Sequence, residues 1–472
     1  MAASTDDLIA KLKAALPVGS VLEGAEAAEK AQGGWSRLGS PRAVLRPAST
    51  EEVSKILKLA HAAGEPIVPW GGKTGLVEGG EAEGHLVLSL DRMNHIEEID
   101  VAGGTATVQA GCILQTVCDA VEAEGALFPL DLGARGSATI GGNISTNAGG
   151  NRVIRYGMMR DMVLGIEAVL ADGTVISSLN HLIKNNAGYD LKQLFIGSEG
   201  TLGIVTRAVL RLRPKPLSQD TGFVAVESFE QLPKFLRHME RALGGTLSAF
   251  EVLWEDFYKL VTTEPAKGKP LLDYGHPYYV LVESMGGDQQ EDSARFEKAL
   301  MAALEDGQVS DAVIAKNQAE RNQMWALRDD VGQVARNWPI FTFDVSLKIA
   351  DMQSYIAEVR EELAAKWPAH SLMVFGHLGD GNLHVIPGSV PEHTPAIRKE
   401  VEAIVYGALR KRGGSVSAEH GIGLEKRPYL GWSRSPEEVA LMRTLKAALD
   451  PKSILNPGKV LEPTGAHAKA AE

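Results

Sequence analysis

The amino-acid sequence predicts an α+β protein built from two to three packed domains. Short β-like runs alternate with amphipathic helices in the first half of the 472-residue chain. Pro214 and Pro216 interrupt this pattern, and longer amphipathic helices follow them, which predicts a domain boundary. The composition, 44% hydrophobic and 23% charged, is that of a globular protein too long for one core.

Local signals predict the individual elements. Residues 49–64 carry a capping box from Ser49 to Glu52, apolar residues at helical spacing, and Gly64 as a stop, which together predict a helix. A second well-capped helix is predicted after Ser435. The predicted strands are 66–70, 86–90, 105–110, two strands within 163–177 joined around Asp172-Gly173, and Tyr278–Glu283.

Charge and cysteine content exclude several classes of function. The net charge of -12 disfavours nucleic acid or an anionic membrane surface as a partner, because both reward Lys and Arg. No apolar run approaches the roughly 20 residues of a membrane span, and the opening MAASTDDLIAKLKAALP lacks the basic start of a secretory signal. We therefore expect a cytoplasmic protein. Cys112 and Cys118 are too few for an iron–sulfur cluster or a four-thiolate zinc site.

Two glycine-rich segments predict a phosphate-binding site. Pro69-Trp-Gly-Gly-Lys-Thr-Gly-Leu76 follows an apolar strand, and Asp131–Gly150 holds six glycines among Ser, Thr and Asn. Glycine lets the main chain approach a ligand closely, so that successive N–H groups can converge on phosphate oxygens. Ile140 and Ile144 look like core contacts and argue against a flexible linker. Neither segment has the GxGxxG of a Rossmann turn or a P-loop pattern.

The chain resembles the PCMH-type FAD-binding domain of the vanillyl-alcohol oxidase superfamily. The resemblance rests on these two segments and on two more, Lys184-Asn-Asn-Ala-Gly-Tyr-Asp190 and Gly197-Ser-Glu-Gly-Thr-Leu-Gly-Ile204. Within this superfamily, the chain is similar to the branch of D-lactate, glycolate and D-2-hydroxyglutarate dehydrogenases. The resemblance implies four parts: an N-terminal helical segment (1–37), a two-subdomain FAD-binding domain (38–217), an α+β substrate or cap domain with a metal site (218–430), and a C-terminal helical segment returning to the FAD domain (431–472).

The resemblance also implies contacts to FAD. The residues expected to bind it are Pro69, Gly71, Gly72, Thr74, Gly75 and Leu76 around the pyrophosphate, Thr139, Gly142, Asn143, Thr146 and Asn147 along the groove, Glu199, Gly200, Ile204 and Val205 near the adenine, and Asn456 at the flavin ring. Relatives that hold the flavin covalently through the first loop place a histidine where this chain has Lys73. Noncovalent FAD is therefore expected.

The segment Gly376-His-Leu-Gly-Asp-Gly-Asn-Leu-His384 predicts a metal site. If Asp380-Gly381 is a two-residue hairpin turn, His377 lies opposite His384, with Cβ atoms roughly 5 Å apart on one face. Glu419 offers a carboxylate as a third ligand, and the resemblance supports this set. Two imidazoles and a carboxylate suit zinc, manganese, iron or cobalt, of which zinc is the first expectation and manganese the second.

Oxidation of a hydroxy acid at C2 requires a base for the hydroxyl proton, and His420 is the predicted base because imidazole titrates nearest neutrality. Arg328 lies where relatives place a carboxylate-binding arginine, a task that suits the guanidinium fork. Thr342 and Ile386 stand where the D-2-hydroxyglutarate branch carries a lysine and an asparagine, and Lys348 is a candidate substitute for that lysine. These departures weaken the assignment to 2-hydroxyglutarate.

The predicted function is an FAD-dependent dehydrogenase that oxidises a small anionic D-2-hydroxy acid, of the D-2-hydroxyglutarate, D-lactate or D-malate class, to the 2-oxo acid. Hydride would move from C2 to flavin N5, assisted by the histidine base and a divalent cation. An external acceptor would take the electrons: electron-transfer flavoprotein, quinone or a dye. Two alternatives stay open, a glycolate oxidase-type flavoprotein subunit and a metal-dependent hydrolase or lyase acting on a nucleotide-containing substrate. The oligomeric state, with a homodimer among the candidates, is also open.

Overall fold

Residues 5–463 are described by the computed structural model. They form two compact units, the first drawn from the described residues up to Gly150, from Gly157–Lys215 and from the described residues after Ala418, and the second from Asn151–Tyr156 and Pro216–Ala418. The outermost parts of the predicted terminal segments, 1–4 and 464–472, lie outside the described residues. Among the helices of residues 5–463, none combines the length and the apolar character needed to cross a membrane.

Strands and helices follow one another throughout the chain. The strands are β1 (Val21–Glu23), β2 (Ala43–Leu45), β3 (Ile67–Trp70), β4 (Leu86–Ser89), β5 (Ile96–Asp100), β6 (Thr105–Gln109), β7 (Ala126–Leu127), β8 (Val163–Val169), β9 (Val175–Ser178), β10 (Ile204–Arg211), β11 (Arg213–Pro214), β12 (Ser218–Val226), β13 (Leu247–Trp254), β14 (Tyr278–Gly286), β15 (Asp311–Ile314), β16 (Phe343–Ser346), β17 (Ser371–His377) and β18 (Asn382–Gly388). The helices are α1 (Thr5–Ala15), α2 (Gly24–Lys30), α3 (Thr50–Ala63), α4 (Leu114–Ala123), α5 (Ile140–Thr146), α6 (Val153–Tyr156), α7 (Met159–Met162), α8 (Lys192–Phe195), α9 (Gln231–Leu243), α10 (Glu255–Thr262), α11 (Gln289–Glu305), α12 (Gln318–Asp329), α13 (Ile349–Lys366), α14 (Pro395–Arg410), α15 (Leu430–Ser433) and α16 (Pro436–Leu449).

The first unit contains a four-stranded sheet of order β1-β2-β4-β3 and a five-stranded sheet of order β5-β6-β10-β8-β9.

Helix α3 of this unit begins and ends at residues that the sequence predicts. The Ser49 side chain accepts a hydrogen bond from Glu52 N, the Glu52 carboxylate accepts one from Ala48 N, and Gly64 ends the helix at φ 69°. Its buried face includes Val53, Ile56, Leu57 and Ala60. The predicted helix is therefore confirmed, as are the strands at β3, β4, β6, β8 and β9.

The C-terminal segment completes the first unit beside β3. Leu455 forms a parallel bridge with Ile67. Ile67 N donates to Ile454 O at 2.7 Å, and Asn456 N donates to Ile67 O at 2.8 Å. These main-chain bonds place Asn456 next to the strand that leads into the first glycine-rich segment.

The second unit is built on a seven-stranded sheet of order β15-β12-β14-β13-β17-β18-β16, and its strand pairs are antiparallel. One part of its core is aromatic, with Phe223, Tyr258 and Tyr279 among the buried residues. Opposed residues in a sheet share a face, and alternate residues along a strand do so too. The register therefore places polar side chains on one face, namely Glu283, Glu251, His377, His384 and Asp344.

The short segment Asn151–Tyr156 belongs to the second unit because two arginines fix it there. Arg152 Nε lies 3.4 Å from the Glu283 carboxylate, which is fully buried. Arg155 donates to Thr246 O at 3.1 Å and also to Met285 O. This helical turn is thus anchored to β14 and to Thr246, the residue before β13.

Candidate functional site

A cavity of about 310 Å³ lies in the first unit, within the usual range for small-molecule sites. Fifteen of the sixteen residues predicted to contact FAD line it: Pro69, Gly71, Gly72, Thr74, Gly75, Leu76, Thr139, Gly142, Asn143, Thr146, Glu199, Gly200, Ile204, Val205 and Asn456. The sixteenth, Asn147, ends α5 at φ 51°, and its side-chain oxygen accepts from Arg160 N. Glu419 and His420 line the same cavity.

The two glycine-rich segments approach each other closely in this cavity at Gly71 and Gly72. A Cβ on Gly72 would lie 2.1 Å from Ser137 O, and one on Gly71 would lie 2.5 Å from Thr139 Oγ1. Both distances are too short for real atoms, so any side chain here would push the segments apart. The sequence therefore needs glycine at these positions to build the cavity wall.

Helix α5 supports the second segment. The Thr139 hydroxyl caps it by accepting a hydrogen bond from Gly142 N at 3.3 Å. A Cβ on Gly141 would lie 2.7 Å from the Ala110 side chain, so the helix packs closely against the chain that follows β6. Buried Ile140 and Ile144 anchor the helix, as the sequence predicted for these two residues.

The loop that carries His420 is held by a buried carboxylate. Glu199 accepts hydrogen bonds from Ile422 N at 2.6 Å and from Gly423 N at 2.8 Å. Burial raises the pKa of Glu199 above its ordinary value, and these two N–H donors oppose that rise. That Glu199 lies near the adenine end of FAD stays a prediction; its carboxylate binds the His420 loop.

The other end of this loop is fixed at Glu419, whose Oε1 accepts a hydrogen bond from Gly150 N at 2.9 Å. Gly150 has φ 103°, and a Cβ there would lie 2.0 Å from Asp131 O. Glu419, the predicted metal ligand, is thus hydrogen-bonded to Gly150, the last glycine of the second glycine-rich segment.

In the second unit, Arg328 and His377 share a buried carboxylate that the sequence analysis missed. Glu251 accepts from Arg328 Nε at 2.9 Å and contacts His377 Nδ1 at 2.7 Å. Burial alone would raise the pKa of Glu251, but its contacts with His377 and Arg328 outweigh burial and hold the pKa at about 2. Arg328 NH2 lies 3.1 Å from His377 Nε2, which closes a ring of three contacts.

The predicted hairpin geometry at His377 and His384 is wrong. The register pairs His384 with Phe375, because a short 3-10 helix (Leu378–Asp380) extends the turn before Gly381. The two imidazoles still share a face, with ring centroids 5.4 Å apart. His384 is directly opposed on its other side by Asp344, which is fully buried and accepts from Asn382 Nδ2 at 2.7 Å.

The remaining predicted substrate contacts differ in exposure. Thr342 and Lys348 are exposed, Lys348 at the N-cap of α13. Ile386 is buried in the aromatic core. No feature of the described residues brings Thr342 or Lys348 into the Glu251–Arg328–His377 ring.

A sequence signal for Glu251 did exist. It lies in the run Ala249-Phe-Glu-Val-Leu-Trp254, which is otherwise apolar and becomes the buried strand β13. A carboxylate is almost never fully buried unless it is paired, so a lone acid in a buried strand predicts a cationic partner. The identity of that partner depends on tertiary structure.

Comparison with known proteins settles the family. A family model described as FAD linked oxidases, C-terminal domain, matches residues 215–460, and one described as FAD binding domain matches residues 41–178. The chain belongs to the FAD-linked oxidases.

Two relatives of this FAD-linked oxidase cover nearly its whole length. The mitochondrial D-2-hydroxyglutarate dehydrogenase of Bos taurus is 40% identical over 462 residues, 97% of this chain and 84% of that protein. The D-2-hydroxyglutarate dehydrogenase of Xanthomonas citri pv. viticola is 41% identical over 436 residues, 91% of each. A crystal structure of p-cresol methylhydroxylase has a TM-score of 0.76 at 18% identity, covering 97% of this chain and 96% of that one. The predicted α+β, PCMH-type fold is thus confirmed.

The cavity of this FAD-linked oxidase fits its cofactor. Asn143 and Asn456 line it, and one buried atom of each, Asn143 Nδ2 and Asn456 Oδ1, has no hydrogen-bond partner within residues 5–463. Buried amide groups are normally paired. The Asn143 donor and the Asn456 acceptor therefore fit a ligand that offers both an acceptor and a donor. FAD offers phosphate and flavin carbonyl acceptors and a flavin N–H donor. The prediction that the glycine-rich half binds FAD is confirmed by the family.

Proposed function

We propose that the protein oxidises a D-2-hydroxy acid to the 2-oxo acid with FAD as the immediate electron acceptor. The observation that carries the proposal is that His420 lines the same cavity as the glycine-rich segments. The names of the 40% and 41% identical relatives support the substrate class. Bound FAD supplies the hydride acceptor, flavin N5.

The protein's own residues would then manage the proton and the charge of the substrate. His420 would take the hydroxyl proton, and Glu199 would hold its loop in place. Arg328, whose guanidinium is fixed by Glu251, would bind the substrate carboxylate. Arg328 is only 8% exposed, so its charge acts in a poorly solvated environment where it attracts an anion more strongly than it would in water.

The experiment is anaerobic mixing of the flavoprotein with D and L forms of lactate, malate and 2-hydroxyglutarate. We expect at least one D acid to abolish the visible flavin absorbance and to yield its 2-oxo acid, while the L acids leave the absorbance unchanged. Bleaching by no D acid would contradict the proposal. The rank order of the D acids identifies the substrate among D-2-hydroxyglutarate, D-lactate and D-malate.

We propose that FAD is held noncovalently. Lys73 lines the cavity, but its amine donates to the main-chain oxygens of Lys30 at 2.9 Å and Gln32 at 2.7 Å and is therefore directed at the protein. Acid precipitation should leave the flavin in the supernatant. A yellow pellet would show a covalent bond instead.

We propose that His377, His384 and Glu419 bind a divalent cation, zinc or manganese. The 5.4 Å separation of the two imidazole centroids supports the pair. Because Arg328 NH2 already contacts His377 Nε2, a cation would compete with Arg328 for the lone pair of that atom. A bound cation would polarise the substrate hydroxyl.

Metal analysis of the purified protein tests the cation. H384A should lose the ion, whereas H370A, which removes a histidine that contacts Trp367 O, should retain it. Equal metal content in the two variants would contradict the ligand assignment.

We propose that electrons leave FAD to an external acceptor. Cys112 and Cys118 are buried, and burial raises the pKa of each thiol to about 11, which keeps them as inert thiols. Turnover should therefore require an added dye, quinone or electron-transfer flavoprotein. Repeated turnover under nitrogen without any acceptor would contradict this.

A further inference from the structure

Trp35 is a half-exposed residue that lines the cofactor cavity from outside the two glycine-rich segments. It lies in the stretch between α2 and β2 and is 53% exposed. Tryptophan has a large apolar surface, and leaving that surface in water is unfavourable. Small-molecule sites are lined mainly by apolar and aromatic side chains. The Trp35 ring is therefore a surface that a ligand in this cavity can cover.

The chain on either side of Trp35 is anchored. Leu38 is buried in a hydrophobic cluster of the first unit, and Ala31 packs against the same cluster. Leu38 O accepts a hydrogen bond from Ala82 N at 2.8 Å. A Cβ on Gly34 would lie 2.7 Å from Leu38 Cδ1, so the chain turns tightly beside Trp35. The backbone of this stretch is thus fixed although the Trp35 side chain is exposed.

Lys73, in the first glycine-rich segment, holds the middle of the stretch. Its amine donates to Lys30 O at 2.9 Å and to Gln32 O at 2.7 Å, and its main-chain oxygen accepts from Trp35 N at 3.0 Å. Lys73 has φ 57°, a backbone conformation that residues other than glycine rarely adopt, and these hydrogen bonds offset the local strain. Three hydrogen bonds therefore tie Trp35 and its neighbours to the loop predicted to wrap the FAD pyrophosphate.

We propose that Trp35 is a further FAD-binding residue whose indole packs against a ring of the cofactor, and that Lys73 is the positioning residue that holds it there. FAD has two flat rings, adenine and isoalloxazine, and an indole can stack on either. Trp35 precedes residues 41–178, which match the FAD-binding family model, so it adds a contact from outside that match. The inference rests on the FAD part of the proposed function and not on its substrate.

Hydroxyl-radical footprinting of the full-length protein, read by mass spectrometry, tests the contact. Trp35 and Trp338 are 53% and 62% exposed, so both should be oxidised in the FAD-free protein. Saturating FAD should remove most of the oxidation at Trp35 and leave that at Trp338 unchanged. Equal oxidation of Trp35 with and without FAD would overturn the proposal.

The affinity for FAD gives a second measurement. W35L should bind FAD about tenfold more weakly than the wild type, because stacking on a flat ring is lost. W338L is the matched control, since it removes another exposed indole. Titration of the FAD-free proteins, followed by flavin fluorescence, measures both. Equal affinities of W35L and W338L would contradict the contact.

Titration with FMN identifies the ring. FMN has the isoalloxazine ring but lacks the adenine. If the indole packs against the isoalloxazine, W35L should weaken FMN binding as it weakens FAD binding. If the indole packs against the adenine, W35L should weaken only FAD binding.

K73M tests the positioning role, because it removes the amine and keeps an unbranched side chain. FAD should then protect Trp35 from oxidation less than in the wild type, and the affinity for FAD should fall. K452M is the control, since the Lys452 amine also donates to a main-chain oxygen, His61 O, at 2.8 Å. Equal protection of Trp35 in K73M and K452M would remove Lys73 from the proposal.

These outcomes are separable from those of the proposed oxidation, because none of the measurements uses a hydroxy acid. If no D acid reduces the flavin, the proposed oxidation fails and the result for Trp35 is unaffected. If W35L does not fold, footprinting of the wild type still decides whether FAD covers Trp35.

Discussion

The carboxylate of Glu199 accepts a hydrogen bond from Ile422 N at 2.6 Å, two residues beyond His420. Glu199 itself has φ 52°, a backbone conformation that residues other than glycine rarely adopt. Gly421 and Gly423 in the loop also have positive φ, at 83° and 51°. The two glycines adopt this conformation readily, so the strained residue is Glu199, and its short hydrogen bond to Ile422 N makes the position of the His420 loop depend on Glu199.

E199Q should slow flavin reduction while leaving the protein folded. Ile422 N and Gly423 N bind different oxygens of the Glu199 carboxylate. An amide replaces one of these oxygens with an NH2 group, so one N–H would lose its partner, at a cost of about 1–3 kcal/mol. Stopped-flow reduction and thermal unfolding measure the two effects. E167Q is the control, because Glu167 is a buried carboxylate of the same unit that accepts from Thr50 and Thr206. Equal reduction rates in the two variants would contradict the positioning of His420 by Glu199.

H420A should bind FAD and reduce it slowly. Loss of a positioned base typically lowers a rate by about 100-fold to 10,000-fold. Rapid-mixing absorbance with the best D acid gives the rate, and the visible spectrum gives the FAD content. H95A, at an exposed histidine, is the control. A rate in H420A equal to that of H95A would remove His420 from the mechanism.

G72A should weaken FAD binding. The added Cβ would lie 2.1 Å from Ser137 O, so the two glycine-rich segments must separate. Overpacking of this kind costs about 1–3 kcal/mol. Titration of the FAD-free protein with FAD, followed by flavin fluorescence, measures the affinity. G136A is the control, since a Cβ on Gly136 meets nothing within 4 Å. Identical affinities would show that the close approach at Gly72 is not needed.

Because of Lys459, the free energy of unfolding should change with pH in the alkaline range. Burial lowers the pKa of Lys459 from 10.5 to about 8. Between these values the unfolded chain binds a proton that the folded protein does not, so the free energy of unfolding should rise with pH over that window. The full effect of a shift of this size is about 3 kcal/mol.

Chemical denaturation at pH values between 8 and 10 measures this dependence. K459M should flatten the rise, while K452M, at an exposed lysine, should keep it. Parallel pH curves for wild type and K459M would contradict the lowered pKa of Lys459.

Local signals were enough to predict much of the fold. The ends of α3 are determined by Ser49, Glu52 and Gly64 through contacts within a few residues. The local sequence is therefore enough to predict where this helix begins and ends. The glycine-rich segments were likewise identifiable, because Gly71 and Gly72 reflect a steric requirement that no other residue meets.

Predictions that depended on register or on distant partners were less successful. The two-residue turn at Asp380-Gly381 failed because the chain forms a 3-10 helix first, and this shifts His384 to Phe375. The roles of Glu199 and Glu251 depend on partners 223 and 126 residues away. No local pattern encodes such contacts, although a lone acid within the apolar run of β13 does show that a partner exists.

Asn456 has a consequence for biosynthesis. Its side-chain amide donates to Gly79 O, 377 residues earlier, and to Glu199 O. A nascent chain that has emerged from the ribosome only through its N-terminal half lacks this wall of the cavity. The complete cofactor cavity therefore forms only after Asn456 has been synthesised, so that tight cofactor loading must follow synthesis of this residue as well as of both glycine-rich segments.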